Sequence, residues 1–182
     1  MIFKNKQLCV LLMMSVLFYS QYSFAQVSNP LNTVDTFFEG FHKRDSLMIQ
    51  SVVTADAQLF RTGNVKDGAP FRKAMTMERF IRSVTSRPEK PIWKEQQGKP
   101  ILHQDQNLAV VWMPFRFYLD QKLRHCGYNL FTLFWNGDTW LITEVSDTGT
   151  TDCTVDDSYF IPLINSLNNK TQYVKNNRFR WK

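Results

Sequence analysis

The chain has 182 residues, 14% of them aromatic, and a formal net charge of +6. Five basic side chains fall in the last thirteen residues, whereas residues 26–169 carry 15 basic and 16 acidic side chains. Because the body of the protein carries no basic excess, nucleic acid is excluded as an expected partner.

The first 25 residues have the pattern of a secretory signal peptide. Lys4 and Lys6 precede an apolar run at residues 8–19, and residues 23–25 (Ser-Phe-Ala) offer small residues to a signal peptidase. The run is shorter than the roughly 20 apolar residues of a spanning helix, although an uncleaved amino-terminal anchor is the alternative. Cleavage predicts a mature chain that begins near Gln26, has no transmembrane segment, and is exported to the periplasm or the extracellular medium.

Cleavage removes Cys9 and leaves Cys126 and Cys153. An even pair of cysteines in an oxidising compartment predicts a disulfide. The two cysteines are 27 residues apart, and the loop-closure entropy of such a bridge stabilises a fold by about 3–4 kcal/mol. A metal pair or a redox dithiol is the weaker alternative, because the chain lacks Cys-x-x-Cys and His125 is a single potential ligand.

The segment after residue 30 has helical spacing and predicts a first helix, capped at Asn29 or Asn32. Its apolar residues recur at i, i+3, i+4 and i+7, as Val34, Phe37, Phe38 and Phe41. A short second helix follows Asp45, and an extended stretch follows at residues 58–61. Turn residues lead from there to a third helix at about Thr76 to Val84.

From Trp93 onward, alternating apolar residues and turn signals predict strands. The expected strands are residues 93–97, 100–104, 108–119, 123–135 and 140–146. Asn136-Gly137 is a strong hairpin signal between the last two strands. Helices followed by a curved antiparallel meander predict the α+β class, with the helices packed on one face of the sheet.

Pairing Trp135 with Trp140 divides the side chains of the meander between two faces. One face is apolar and is the expected core, and it comprises Val111, Met113, Phe115, Phe117, Tyr128, Leu130, Phe134, Leu141 and Val145. The other face mixes rings with ionisable groups, and it comprises Trp112, Arg116, Tyr118, His125, Asn129, Phe131 and Glu144. This mixed face is either exposed, a dimer surface, or the wall of a pocket, and a register error of one residue exchanges the two faces.

The order of elements resembles the nuclear transport factor 2-like (SnoaL-like) superfamily over roughly residues 30 to 150. The matching stretches are residues 34–41 (Val-Asp-Thr-Phe-Phe-Glu-Gly-Phe), 43–45 (Lys-Arg-Asp), 53–57 (Val-Thr-Ala-Asp-Ala), 128–134 (Tyr-Asn-Leu-Phe-Thr-Leu-Phe) and 140–142 (Trp-Leu-Ile). His125-Cys126-Gly127 with a later cysteine is similar to secreted members of unknown function. The resemblance implies a cone-shaped domain, here residues 26–154, with a pocket between sheet and helices and homodimers formed through the sheet.

Residues 155–182 are expected to form a short helical segment and a basic, polar tail. Five basic residues with interspersed aromatic residues make up this tail. A solvated end is the simpler interpretation, and a contact with an anionic surface is the alternative.

The superfamily includes isomerases, dehydratases and binding modules, so its fold does not determine a function. The resemblance to the steroid-isomerase branch places Arg61 where that branch has its proton-abstracting carboxylate, and Phe37 near its helix-one tyrosine. Both groups of that chemistry are therefore missing. The sequence also has no Ser-His-Asp set, phosphate-binding glycine loop or metal-ligand spacing, so neither a metal nor a cofactor is expected.

Three residues are candidates for catalysis. His125 titrates near neutrality, Arg61 offers a fork of donors for a carboxylate or phosphate, and Asp147 is an acid at the expected cone mouth. A structural histidine, a surface ion pair and a strand-ending turn are the respective simpler interpretations.

The expected pocket lining is Trp112, Tyr118, Tyr128, Phe131 and Glu144, although aromatic residues on strands are more often core or interface. Because no convergent acid–base set is visible, an exported domain that binds a small apolar or amphipathic ligand, or a protein partner, is the first hypothesis. A dehydratase, isomerase or hydrolase using His125 with Arg61 or Asp147 is the second.

Overall fold

The structure is a computed structural model that describes residues 29–65, 67–154, 158 and 160. The predicted signal peptide lies outside the described residues. The predicted helical segment and tail at 155–182 also lie outside them, apart from Ser158 and Phe160.

The described residues form three helices, each with an oxygen-bearing side chain at its amino end. They are α1 (Pro30–Lys43), α2 (Ser46–Gln50) and α3 (Met77–Thr85). Asn29 accepts a hydrogen bond from the N–H of Leu31 at 3.0 Å, and Asp45 and Thr76 cap α2 and α3 in the same way. These side chains satisfy backbone donors that the first helical turn leaves unpaired. The helices therefore begin where the sequence predicts, to within two residues.

Seven strands form one sheet. They are β1 (Val53–Asn64), β2 (Pro70–Thr76), β3 (Trp93–Gln97), β4 (Ile101–Asp105), β5 (Leu108–Leu119), β6 (Lys122–Trp135) and β7 (Trp140–Thr148). The strand order is β2-β1-β7-β6-β5-β3, and β4 pairs with β5 beside β3. All pairs are antiparallel except β1 with β7, which are parallel. The predicted α+β class is confirmed, with one parallel pair that the predicted meander did not include.

Strand β2 was not predicted. Its residues are mostly exposed, it starts with Pro70, and its side chains do not alternate between buried and exposed positions. Such an edge strand lacks the period-two pattern by which strands are recognised, so the sequence indicates only a turn there.

The core lies between the helices and one face of the sheet, here called the inner face. Phe131 on β6 is fully buried, and the rings of Phe37 and Phe38 on α1 meet it edge-on at centroid distances of 5.6 and 5.5 Å. Val34 and Phe41, from the same helical stripe, are buried as well. Edge-to-face contacts of this kind stabilise aromatic pairs beyond their burial. The expected packing of the helices on one face is confirmed.

Two β-bulges change which side chains of β6 and β7 point inward. The β5–β6 pairing steps from Tyr118↔Leu123 to Phe117↔His125, and thus leaves Arg124 unpaired. The β6–β7 pairing leaves Thr143 unpaired in the same way. Each extra residue reverses the alternation of side chains along its strand.

The expected division between the two faces is therefore wrong for β6 and for part of β7. Asn129, Phe131, Leu133, His125 and Ile142 lie on the inner face. Tyr128, Leu130, Phe134 and Leu141, expected in the core, lie on the opposite, outer face. The predicted pairing of Trp135 with Trp140 is correct, because this pair lies between the hairpin turn and the β7 bulge, which follows Ile142.

The predicted disulfide is confirmed. Cys126 and Cys153 are bonded, with their Cα atoms 5.6 Å apart. Cys126 is fully buried, and its backbone exchanges two hydrogen bonds with Thr150, at 3.0 and 2.9 Å. The bridge therefore holds the chain that follows β7 against the outer face of the sheet.

Gly127 lies beside the end of β7, from which the chain continues alongside β6 to Thr150. A Cβ atom at Gly127 would come within 2.3 Å of the carbonyl oxygen of Thr148, which is backbone and cannot swing aside. We expect Gly127→Ala to lower the free energy of unfolding by about 1–3 kcal/mol, the cost of overpacking, in urea denaturation.

Gly149 is the matched control, because a Cβ atom there would meet nothing within 4 Å. Gly149→Ala should change the stability by less than about 1 kcal/mol. Equal losses for the two alanine variants would show that the close approach to Thr148 is unimportant.

Candidate functional site

An aromatic cavity of about 310 Å³ lies between the helices and the inner face of the sheet. This volume falls at the lower end of the range typical of small-molecule sites. Seven of the lining residues are aromatic, and they are Phe37, Phe38, Phe41, Phe80, Trp93, Phe117 and Phe131. Because they come from five different elements, the cavity exists only in the folded chain.

The rings of the cavity wall hold each other in place. Phe80 on α3 stacks on Phe37 and on Phe41 at centroid distances of 5.6 and 6.2 Å. Trp93 on β3 meets Phe117 on β5 edge-on at 5.7 Å. Side chains fixed by such contacts lose little further entropy when a ligand arrives, which favours binding.

An ion pair between neighbouring strands contributes to the polar part of the wall. Arg61 on β1 pairs in register with Asp147 on β7. Its Nε donates to both carboxylate oxygens, at 2.9 and 3.1 Å, and its Nη2 donates to Oδ2 at 2.5 Å. The hydrogen bonds that Arg61 donates to Asp147 raise the pKa of Arg61 above its usual range. Asp147 is thus engaged by a forked donor, a geometry that arginine makes with carboxylates.

Glu95 is the second carboxyl group of the cavity. It lies on β3, and its Oε1 accepts a hydrogen bond from the Nδ2 of Asn129 at 2.7 Å. Burial raises the pKa of Glu95 to about 7, against the opposing effect of the Asn129 hydrogen bond. The carboxyl group is therefore close to half-protonated at neutral pH.

One histidine contacts the backbone of Glu95 and another lines the cavity, and both are biased toward the neutral form. The Nε2 of His42 accepts a hydrogen bond from the backbone N–H of Glu95 at 3.0 Å, and burial lowers the pKa of His42. His125 stacks on Phe117 at 4.9 Å, and burial, followed by the charge of Arg61, lowers its pKa. In the described part of the chain the His125 ring makes no hydrogen bond. It thus offers one donor and one acceptor to the cavity.

The three catalytic candidates, His125, Arg61 and Asp147, all line this one cavity. Phe131, expected in the pocket lining, also lines it. The structure therefore brings together four of the eight residues singled out from the sequence.

The other four expected pocket residues lie on the outer face. Trp112 and Tyr128 stack on each other there at 4.9 Å, and the Tyr118 hydroxyl donates to Gln96 at 3.4 Å. Glu144 accepts a hydrogen bond from the Ser146 hydroxyl at 2.7 Å. The β6 bulge accounts for Tyr128, which was expected on the core face. Trp112, Tyr118 and Glu144 lie on the mixed face as expected, and that face points away from the cavity.

Sequence reasoning missed Glu95, Asn129 and Trp93 as cavity residues. Trp93 and Glu95 are two apart on one strand and so share a face, which is the one signal that could have placed Glu95 beside a buried ring. The strand reads Trp-Lys-Glu-Gln-Gln, and its polar residues resemble those of an exposed edge. Asn129 was predicted to share a face with His125 and Phe131, which is correct. The prediction placed that face opposite the core, and the β6 bulge instead turns these side chains inward.

Within the described ranges, no group of three or more His, Cys, Asp and Glu side chains is arranged to hold a metal ion. No helix among the described residues is both long enough and apolar enough to cross a membrane.

Solved structures with the same fold support the resemblance. An NTF2-like protein from Cytophaga hutchinsonii superposes with a TM-score of 0.53 at 14% identity, over 66% of this chain and 94% of that one. A protein of unknown function from Mycobacterium tuberculosis reaches 0.53 at 11% identity, over 66% and 69% of the two chains. A protein of unknown function with a cystatin-like fold from Nostoc punctiforme reaches 0.51 at 9%, over 67% and 89%.

No protein-family model and no curated protein matches the sequence. The structural comparisons confirm that the chain has the NTF2-like fold. At these identities they establish a fold and leave the function to the site itself.

The raised pKa of Glu95 makes stability depend on pH. The unfolded carboxyl group titrates at about 4.3, so between that pH and about 7 the folded state binds more protons and its stability falls as pH rises. The stability of Glu95→Gln relative to the wild type should therefore be about 3–4 kcal/mol higher at pH 8 than at pH 4.

Urea denaturation of both proteins at pH 4, 6 and 8 measures this difference. The lowered pKa values of His42 and His125 act in the opposite direction, and they cancel when the two proteins are compared. A stability difference that does not change with pH would show that Glu95 titrates as it does in water.

Proposed function

We propose that this domain is exported and binds one small molecule, with an apolar body and one polar group, in the cavity. The observation that carries the proposal is a cavity with a mainly aromatic wall and a small set of polar groups on one side. Apolar pockets with a few convergent polar groups are typical of ligand sites. The Cys126–Cys153 disulfide supports export, since such bonds persist in oxidising compartments.

The hydrogen-bond partners of the polar groups favour binding over catalysis. Asp147 is occupied by Arg61, so it is poorly placed to accept a proton from a substrate. In the described chain no hydrogen bond links His125 to an acid that would orient it. Acid–base sites ordinarily connect the base to such an orienting group.

A dehydratase, isomerase or hydrolase is the second candidate, and one observation favours it. Glu95 has a pKa near neutrality and lines the same cavity as His125, and matched pKa values suit proton transfer. In this version the acid beside His125 is Glu95, and Arg61 and Asp147 position the polar wall. Chemical conversion of a retained ligand by the purified protein distinguishes the two candidates.

Filling the cavity should abolish binding. Val145 lines the cavity and is buried on β7, so Val145→Phe places a ring in the space meant for a ligand. We expect native mass spectrometry of the protein from its own host to show a retained small molecule. The Val145→Phe variant should lose it.

Val110→Phe is the matched control, because it makes the same change in side-chain size at a position on the outer face, where Val110 pairs with Thr132. The Val110→Phe variant should retain the ligand. A wild-type protein that carries no ligand and whose tryptophan fluorescence responds to no small apolar compound would contradict the proposal.

We also propose that two copies associate through the outer face of the sheet. Five exposed apolar side chains lie on that face, each between 38% and 56% exposed, and they are Ile101, Leu108, Trp112, Leu123 and Phe134. Cross-strand pairs join Ile101 to Trp112 and Leu108 to Phe134, so the patch extends over several strands. The net charge of residues 26–169 is close to zero, so two copies do not repel each other strongly.

A charge in this patch should weaken the dimer. We expect the wild type to have the mass of a dimer in light scattering after size exclusion, and Phe134→Asp to raise the dissociation constant at least about tenfold. Leu47→Asp is the control, because Leu47 is 75% exposed on α2, away from the sheet. A wild-type monomer at high protein concentration would refute the dimer.

A further inference from the structure

The cavity contains a carboxyl group that has no cationic partner. Among the described residues that line the cavity, Arg61 is the single guanidinium or ammonium group, and Asp147 occupies its Nε and Nη2. No salt bridge in the described part of the chain joins Glu95 to a cation. Its recorded side-chain partner is the neutral amide of Asn129.

The groups that face Glu95 from the surrounding elements leave this charge unbalanced. Those that line the cavity are Arg61 on β1, Phe117 on β5, Asn129 and His125 on β6, and Asp147 on β7. His42 on α1 accepts from the backbone N–H of Glu95, and the guanidinium of Arg87 lies over the rings of Phe41 and Trp93, where it donates to the carbonyl oxygen of Phe41. Arg61 and Asp147 cancel each other, and both histidines are biased to the neutral form. An ionised Glu95 would therefore add one negative charge to a cavity with aromatic walls.

Aromatic walls suit a positively charged ligand group. The face of an aromatic ring is electron-rich and attracts a cation, most strongly where water is excluded. Trp93 lies two residues from Glu95 on the same face of β3, and Phe117 is its cross-strand partner on β5. A cation bound by Glu95 would thus lie in a cavity whose wall includes both rings.

We infer that the ligand class of the cavity is a small hydrophobic amine, bound as its ammonium ion with the charge against Glu95 and the apolar body among the phenylalanine rings. This inference rests on the proposed binding function and specifies its ligand. A carboxylate ligand would instead meet the negative charges of Asp147 and Glu95. A neutral alcohol would gain the apolar contacts without the charge-assisted hydrogen bond.

A series of three matched probes tests the inference. The probes are 2-phenylethylamine, 2-phenylethanol and 3-phenylpropanoate, which share a ring and a two-carbon spacer and differ in the charge of the head group. Isothermal titration of the full-length mature protein at pH 8 should show the amine binding at least about tenfold more tightly than the alcohol. The carboxylate should bind more weakly than the alcohol.

The pH dependence provides a second measurement. An alkylamine, like a lysine, stays protonated below about pH 9, whereas Glu95 must lose its proton to pair with it. Affinity for the amine should fall about tenfold from pH 8 to pH 6, since the pKa of Glu95 is about 7. Affinity for the alcohol should change much less.

Glu95→Gln should remove both the preference for the amine and its pH dependence, while binding of the alcohol is retained. Glu89→Gln is the matched control, since the Glu89 side chain is 86% exposed and does not line the cavity. The wild-type selectivity series needs no variant, so poor folding of Glu95→Gln would leave the test intact.

The outcomes separate the two proposals. If the alcohol or the carboxylate binds as tightly as the amine, the amine inference is wrong and the binding function stands. If no probe binds and the wild type retains no ligand from its host, the binding function fails, and the amine inference fails with it.

Discussion

The edge-on packing of Phe37 and Phe38 against Phe131 is the contact on which the rest of the structure depends. Phe131 lies fully buried at the middle of the long strand β6, and the two rings hold α1 across the inner face of the sheet. The same stripe of α1 supplies Phe41, which stacks on Phe80 of α3. One aromatic face of α1 thus anchors both helices to the sheet. The space left between the helices and the sheet is the cavity.

The polar wall of that cavity has a division of roles between its two acids. Asp147 pairs with the fork of Arg61, whereas Glu95 has an amide partner and a pKa near neutrality. The pKa of Glu95 is raised because burial disfavours the charged form of a carboxyl group. Binding of a charged ligand would alter Glu95 first, because Asp147 already has its counter-ion.

Local patterns in the chain predicted most elements and the disulfide, and failed where long-range pairing decided the outcome. The caps at Asn29 and Asp45 act within a few residues, so they are visible in the sequence. The bulges at Arg124 and Thr143 depend on how three strands twist against each other. A single unpaired residue reverses the face on which each later side chain of the strand lies. The prediction therefore placed Tyr128 on the core face and Phe131 on the mixed face, whereas the structure has them the other way round.

The sequence determined the described helices and every strand except β2, because helix spacing, capping and strand alternation are local patterns. It also predicted the cysteine pair, and its resemblance to the nuclear transport factor 2-like superfamily indicated the fold. Only the tertiary structure decided that His125, Arg61 and Asp147 share a cavity, and that Glu95 completes it. Those residues lie on β1, β3, β6 and β7, and their approach follows from sheet order and register. The pKa of Glu95 likewise depends on burial among side chains distant in the chain, which no local pattern records.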